Sequence, residues 1–418
     1  MRAGAEELLC SASVDLSRGG NDVFNNLGLY LHIPFCQQKC AYCDFYSVEA
    51  PDEMMERYTD ALLLHMEDYS QSALTHEVDT VYIGGGTPTV LPRKSLTAIM
   101  DGVYSNFNVS PDAEFSMEAN PATVTLSDLK AYRRAGVNRL SFGMQSTSDR
   151  ELQALGRIHT YDDFLDSYDA ARRAQIDNIN IDVMYGIPYQ TPDSLDETLR
   201  NVCSLEPEHI SLYNLKIEPG TPFARRADTL ELPDEDTEYK MYCDAVDCLE
   251  SFGYHQYEIS NFAKDGFACR HNLKYWNLEE YLGLGPAAHS FYHERRFSFK
   301  RDLKAYIRAM EHPQSGIVIT GEDYDIRESE RIGEYVMLRM RLKEGVDTVR
   351  FAELFGLDFE KLYGKKLELY VNNGFMFHEG TNYSFTLKGM YVSNYILSSM
   401  IDFNSTIAEG IADGSDKA

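Results

Sequence analysis

Cys36, Cys40 and Cys43 stand in the spacing CxxxCxxC within YLHIPFCQQKCAYCDFYS, residues 30–47, straight after an apolar run that reads as a buried strand. Three thiolates on one short loop can hold three corners of a cubane [4Fe-4S] cluster, which ordinarily takes four protein ligands. One iron is then open to bind something else. Two other readings compete with this one. A zinc loop needs a fourth ligand, and structural zinc sites usually pair two such hooks. The remaining cysteines, Cys10, Cys203, Cys243, Cys248 and Cys269, are scattered and form no second hook. A disulfide framework suits small secreted chains, whereas this one is long and reads as having no secretory leader. The cluster is the favoured reading.

The surrounding composition is that of an ordinary globular chain. Its 418 residues suggest two or three domains, and 44% hydrophobic residues suffice for a sizeable core. A net charge of -27 disfavours nonspecific attraction to nucleic acid or to an anionic membrane face. No run approaches the roughly eighteen apolar residues of a membrane span. The first residues, MRAGAEELLCSASVDLSRGGND, lack the sustained apolar stretch of a signal peptide. A cytoplasmic protein is expected, with its thiols reduced and available to iron.

The elements that must position the cysteines follow a regular beat. Apolar, β-branched runs occur at 29–33, 80–83, 114–117, 139–142, 180–184 and 210–215, with helical patterns at 52–69, 93–107, 127–135, 162–174 and 193–203 between them. Strands alternating with amphipathic helices argue for a parallel sheet covered by helices. Six units are too few for a closed eightfold barrel and predict an open, partial (β/α)6 barrel. Sites in such barrels gather at the C-terminal strand ends. There the chain places the cysteine loop, then Gly84-Gly85-Gly86-Thr87-Pro88, Glu118-Ala119-Asn120-Pro121, Gly143-Met144-Gln145-Ser146, and Asp182 with Gly186-Ile187-Pro188.

The expected organisation is a disordered leader over 1–26, the barrel over 27–225, a barrel extension over 226–325, a C-terminal α+β module over 326–402 and a disordered tail over 403–418. Within the extension, 234–252 reads as a helix, YHQYEISNF from Tyr254 as a strand, and the stretch with CRHNLKYW and YLGLGPAAHSF as irregular. The C-terminal outline of helix, helix pair, hairpin and helix is winged-helix-like. In so acidic a chain this module is expected to pack beside the barrel rather than to bind DNA.

Taken together, YLHIPFCQQKCAYCDF, YIGGGTPT, SMEANP, RLSFGMQS, IDVMYGIPYQT and CRHNLKYW resemble the family of the anaerobic coproporphyrinogen III dehydrogenase and its relative, the heme chaperone HemW, over residues 28–400. The resemblance implies a radical S-adenosylmethionine (SAM) barrel whose cluster is held by Cys36, Cys40 and Cys43, with SAM chelated at the open iron. It places Tyr42 beside the cluster near the adenine, Tyr30 close to bound SAM, and the backbone of Gly84, Gly85, Gly86 and Thr87 at the methionine end. Glu118 would meet a polar group of SAM, Gln145 and Arg157 its ribose and carboxylate side, and Asp182 the ribose hydroxyls. Singly, each of Glu118, Gln145 and Asp182 reads equally well as a strand-end cap, and Arg157 as a solvated helix-end residue. The family chemistry further implies a low-potential electron donor, a flavodoxin or ferredoxin.

Two branches of that family differ in function, and two features separate them. The dehydrogenase pattern CxxxCxxCxC has a further cysteine where this chain has Phe45. His271-Asn272-Leu273-Lys274-Tyr275-Trp276 matches the HNxxYW motif of the chaperone branch and contains the chain's one Trp. A neutral imidazole can ligate heme iron, and Tyr and Trp offer flat apolar faces to a macrocycle. The expectation is therefore a heme chaperone with His271 as heme ligand, passing heme to an acceptor protein. SAM-dependent decarboxylation of coproporphyrinogen III, an oxygen-independent oxidase activity of porphyrin biosynthesis, is the alternative. Cys269 reads as a packed residue, His289 as part of a tight turn, and His32 as a residue that orders the cysteine loop.

Overall fold

The structure, a computed structural model, describes residues 25–401. Six strands lie side by side in chain order and in parallel: β1 Asn25–Ile33, β2 His76–Gly85, β3 Val109–Ala119, β4 Arg139–Gln145, β5 Asn178–Tyr185 and β6 His209–Asn214. Helices Asp52–Ser70, Arg93–Asn106, Leu126–Arg134, Tyr161–Arg173 and Pro192–Ser204 provide the crossovers. This is the partial (β/α)6 barrel expected from the sequence. Three of these helices begin with capping boxes, Thr125 with Asp128, Thr160 with Asp163 and Thr191 with Ser194. Each satisfies two otherwise orphaned N-terminal N–H groups reciprocally, so the helix starts are written locally. The short helix Asp149–Leu155 was not expected.

Side-chain alternation along the strands divides the barrel into two environments. Successive residues of a strand face opposite sides. One row, with Leu29, Leu31, Val81, Ile83, Phe115, Met117, Leu140, Phe142, Ile179, Ile181 and Ile210, is buried in the common hydrophobic core. Burying each such side chain contributes roughly 1.5–3 kcal/mol. The other row carries Tyr82, Glu118, Arg139, Ser141, Asn180, Asp182 and Ser211, which line the barrel cavity. The barrel is thus an apolar wall around a polar lumen, and its polar residues need partners inside that lumen.

The extension is more regular than its sequence implies. Tyr254 onward is not one strand but a hairpin, β7 His255–Gln256 and β8 Asn261–Ala263, with β8 antiparallel to β6. CRHNLKYW contains the helix Arg270–Trp276, and YLGL is β9 Tyr281–Leu284, which pairs in parallel with β1. Strands β10 His289–Tyr292, β11 Arg295–Phe299 and β12 Thr320–Asp325 continue antiparallel from there. The hairpin β7–β8 thus extends the sheet beyond β6, and the stretch read as irregular begins its extension beyond β1, to twelve strands in all. Short strands paired to distant partners carry little local signal, which is why periodicity missed them.

The C-terminal module places helices Glu328–Arg339, Thr348–Phe355 and Phe359–Asn372 against a three-stranded sheet of β13 Val346–Asp347, β14 Met376–Glu379 and β15 Asn382–Phe385. Helices Leu387–Tyr391 and Ser393–Met400 follow, completing the winged-helix-like outline. Of the leader expected over 1–26, Asn25 and Asn26 begin β1; its other residues up to 24, and the tail over 403–418, lie outside the described residues.

Candidate functional site

The parallel strands end at one edge and open on a cavity of about 1240 Å³. Cys36, Cys40 and Cys43 line it, all as free thiols. Their loop is tied down from several sides. Thr87 donates its N–H to Phe35 O at 2.7 Å and Gly86 to Ile33 O at 2.9 Å. Ala41 N–H donates to Leu155 O at 3.0 Å, from the helix that the periodicity did not show. His32 Nε2 donates to Tyr46 O at 2.9 Å while its Nδ1 accepts from Tyr30 Oη at 3.0 Å. Burial lowers the His32 pKa to about 4, so this imidazole stays neutral and the tautomer is fixed by its two partners.

The sulfur atoms have directed neighbours. Asn120 Nδ2 donates to Thr87 Oγ1 at 2.9 Å, which leaves the Thr87 hydroxyl proton for Cys36 Sγ at 3.5 Å. Arg157 Nη1 donates to Cys40 Sγ at 3.5 Å, and its Nη2 is held by Asn120 Oδ1 at 2.9 Å and by Gly143 O. Burial, together with Cys40 and Cys36, pushes the Cys43 thiol up to about 11. A thiolate at that position therefore calls for a neutralising cation, which iron held there would supply. The three thiols do not converge as they would on a single ion: among the described residues only His76, Glu280 and His293 bring three ligand atoms within 4.8 Å of one another. That spread disfavours zinc and suits a cluster, whose thiolates bind separate iron corners.

Around the thiols the strand ends present a polar rim. Glu118 accepts from Gly85 N and from Tyr82 Oη, both at 3.0 Å. Burial and the neighbouring Asp182 push its carboxyl up to about 7. Asp182, also raised by burial, accepts from Asn180 Nδ2 at 2.7 Å. Gln145 ends β4 with a left-handed φ of 74°, breaking the β4–β5 register and lining the cavity. Such a conformation for a side-chain-bearing residue persists only where its surroundings hold it. Burial opposes the Arg157 charge, but Tyr42, Cys40 and Asp182 more than offset it and raise its pKa.

The sequence candidates differ in how they meet the cavity. Gly84 and Tyr30 are not among the cavity-lining residues. A Cβ on Gly84 would come 2.7 Å from Glu118, and one on Gly85, at φ 109°, 2.4 Å from the His32 ring. The glycines thus permit close packing behind the rim. The N–H groups of Gly85, Gly86 and Thr87 are spent within the protein, so what that turn offers a ligand falls to carbonyl oxygens and the Thr87 hydroxyl.

His271 is fully buried. Its Nδ1 pairs with Thr80 Oγ1 at 2.9 Å, its Nε2 with Tyr275 Oη at 2.8 Å, and its ring stacks on Tyr82. Burial, with Lys274 and Arg139 nearby, lowers its pKa to about 3. Glu114 caps this helix, accepting from Arg270 N at 3.0 Å and His271 N at 3.1 Å. In this conformation His271 offers no lone pair to an iron. From the same helix, however, Asn272 and Trp276 do line the cavity.

Other cavity residues were invisible to sequence reasoning. Arg139 is 2% exposed and faces the lumen with Nε unpartnered. Glu238 and Tyr242, from the helix Glu235–Ser251, and Arg341, Met390, Tyr391 and Asn394, from the C-terminal module, complete the far wall. Tyr391 Oη donates to Glu238 Oε1 at 2.9 Å, and the Tyr391 and Tyr242 rings lie 5.7 Å apart. The module expected merely to pack beside the barrel therefore contributes to the cavity wall. Arg139 opens the RLSFGMQS motif, which does not single it out, whereas no motif flags the far-wall residues, whose role arises from contacts such as Tyr391 to Glu238, about 150 residues apart in the chain.

Comparison with known proteins agrees with this architecture. The Radical SAM superfamily model matches residues 30–202, and the HemN C-terminal domain model matches 326–392. The former implies a [4Fe-4S] cluster and SAM. The heme chaperone HemW of Bacillus subtilis is 34% identical over 375 residues, covering 89% of this chain and 98% of that protein. The heme chaperone HemW of Escherichia coli is likewise 34% identical, over 89% of this chain and 97% of its own length. Among solved structures, the coproporphyrinogen III oxidase HemN from Escherichia coli superposes with a TM-score of 0.80 at 23% identity, covering 91% of each chain. That likeness is one of fold.

Proposed function

The chain belongs to the heme chaperone HemW family of the radical SAM superfamily, and from that premise we propose that it binds a [4Fe-4S] cluster, SAM and heme and hands the heme to an acceptor protein. One observation carries the proposal. The three cysteines, the polar strand ends and Trp276 of the HNLKYW helix all line one cavity of about 1240 Å³. This exceeds the usual ~300–1000 Å³ of a site for one small ligand.

The residues fit the implied groups. Cys36, Cys40 and Cys43 would hold the cluster, with Tyr42 beside it and Arg157 and Thr87 donating to the sulfurs. Glu118, Gln145 and Asp182, with the Gly85 to Thr87 part of the glycine turn, would contact SAM, and Gly84 would pack behind them. When bound and reduced, the cluster supplies one electron for cleaving a carbon–sulfur bond of SAM. The chain's own contribution is to orient and to enclose. Arg157, fixed by Asn120 and Gly143, holds a positive charge between the thiols and Asp182. Tyr242, Met390 and Tyr391 line the far wall.

Heme would lie against Trp276, an aromatic face that reaches the cavity. Ligation by His271, the axial candidate of the sequence, requires its imidazole to give up the bond to Thr80 or the one to Tyr275, freeing one ring nitrogen. A flavodoxin or ferredoxin would supply electrons. Among the described residues no helix is long and apolar enough to cross a membrane; contact with a membrane-bound acceptor would be transient.

Anaerobic reconstitution followed by heme titration tests the proposal, with coproporphyrinogen decarboxylation assayed in parallel. Tight stoichiometric heme binding without decarboxylation is expected. Vigorous decarboxylation without heme binding would establish the oxidase reading instead. Unchanged heme spectra in His271→Ala, with weakened binding in Trp276→Ala, would assign the cavity face; loss of the axial signal in a folded His271→Ala would assign the imidazole.

A further inference from the structure

We propose that His76, Glu280 and His293 form a binding site for a divalent first-row transition-metal ion, at the end of the barrel away from the cysteine loop. Their ligand atoms all lie within 4.8 Å of one another, and no other trio of His, Cys, Asp or Glu among the described residues does so. Two imidazoles and one carboxylate form a donor set used by zinc and by non-heme iron, with coordination positions left for water or a further ligand.

The three residues come from separate elements. His76 begins β2, Glu280 directly precedes β9, and His293 occupies the turn between β10 and β11. Rising ~3.3 Å per residue, β2 puts His76 ~30 Å from Gly85 at the cavity mouth. The site is therefore separate from the cluster loop and independent of the heme reading.

Each donor is already oriented. His76 is 2% exposed, and its Nε2 lies 3.1 Å from Glu280 Oε2. Its Nδ1 faces Thr75 Oγ1 at 3.4 Å, a contact that sets which nitrogen points inward. Glu280 Oε1 accepts the His293 backbone N–H at 2.6 Å, which fixes carboxylate and turn together. His293 and Glu294 both have left-handed φ, 50° and 60°, as a two-residue hairpin turn demands. That turn holds the His293 ring 5.4 Å from the His76 ring. His293 is exposed and Glu280 half-buried, so an ion can enter from solvent. A bound ion would clip the β10–β11 hairpin to the parallel barrel.

Anaerobic equilibrium dialysis of the cluster-loaded full chain against Zn2+, with zinc and iron counted per chain, tests the site. The iron count verifies that zinc has not entered the cysteine loop. One zinc per chain is expected, and His293→Ala, on an exposed turn, should weaken binding by more than ~100-fold, beyond the 10–100-fold of an outer-shell change. Glu280→Gln, which retains the amide acceptor for His293 N–H, should weaken it as well, and zinc should raise the melting temperature of the wild type alone. Absence of zinc from the wild type, or unchanged affinity in His293→Ala, would overturn the proposal and leave His76 and Glu280 as a hydrogen-bonded pair.

Discussion

The cysteine loop and the HNLKYW helix look alike in the sequence, since each puts metal-binding side chains into a short motif, yet the fold treats them in opposite ways. The thiols of Cys36, Cys40 and Cys43 face a large cavity, with Thr87 and Arg157 donating to two of them. The His271 imidazole is sealed, with a partner on each nitrogen and a ring stacked on its face. A motif can specify which donors are near one another in the chain. Whether a donor has a lone pair to spare depends on what packs over it.

The sharpest test of this contrast exchanges one atom on the open side. Cys40→Ser should lose essentially all reconstituted cluster iron and its visible absorbance, whereas His271→Ala should retain both; equal iron loss in the two variants would erase the distinction. On the sealed side His271→Ala should cost stability, roughly 2–5 kcal/mol in chemical denaturation, because Thr80 and Tyr275 lose their partners and a cavity opens. Trp276→Ala should instead leave the fold near its original stability and raise the heme dissociation constant about tenfold, in line with ~0.5–1.5 kcal/mol for a stacking contact.

Gly85→Ala probes the scaffold behind the thiols. A methyl group there meets the His32 ring and a left-handed φ of 109°. A loss of roughly 1–3 kcal/mol is expected, together with faster cluster loss on exposure to air as the His32 to Tyr46 tie loosens.

The smallest effect is a pH slope. The folded pKa of Glu118 is raised to about 7, chiefly by burial, so the native state holds its proton more tightly than the unfolded chain does. Its contribution to stability is present below the ordinary glutamate range and is lost as pH rises to about 7. Glu258, buried and also raised to about 7, acts in the same window. Glu118→Gln should flatten part of the decline in cluster-free protein between pH 4.5 and 7; an unaltered slope would show that Glu118 is ionised there.

Much of the barrel was legible because its signals are local. Apolar, β-branched runs mark the strands, amphipathic patterns mark the helices between them, and glycines mark the strand-end turns. These follow from backbone geometry over a few residues. The sheet extension escaped notice because β9 is four residues long and finds its partner, β1, some 250 residues earlier. The far wall escaped because Tyr391 and Arg341 acquire their role only when the C-terminal module docks.

By itself the sequence determined the chemistry available: three thiols on one loop, carboxylates and glycines at successive strand ends, and one Trp in an HNxxYW motif. Only the tertiary structure decided which of these groups are offered to a ligand. It opened the cysteines, turned Trp276 toward the cavity, closed His271 behind Thr80 and Tyr275, and gathered His76, Glu280 and His293 from three elements. The physical reason is that accessibility and pairing are set by long-range packing, through contacts that no local pattern of residues encodes.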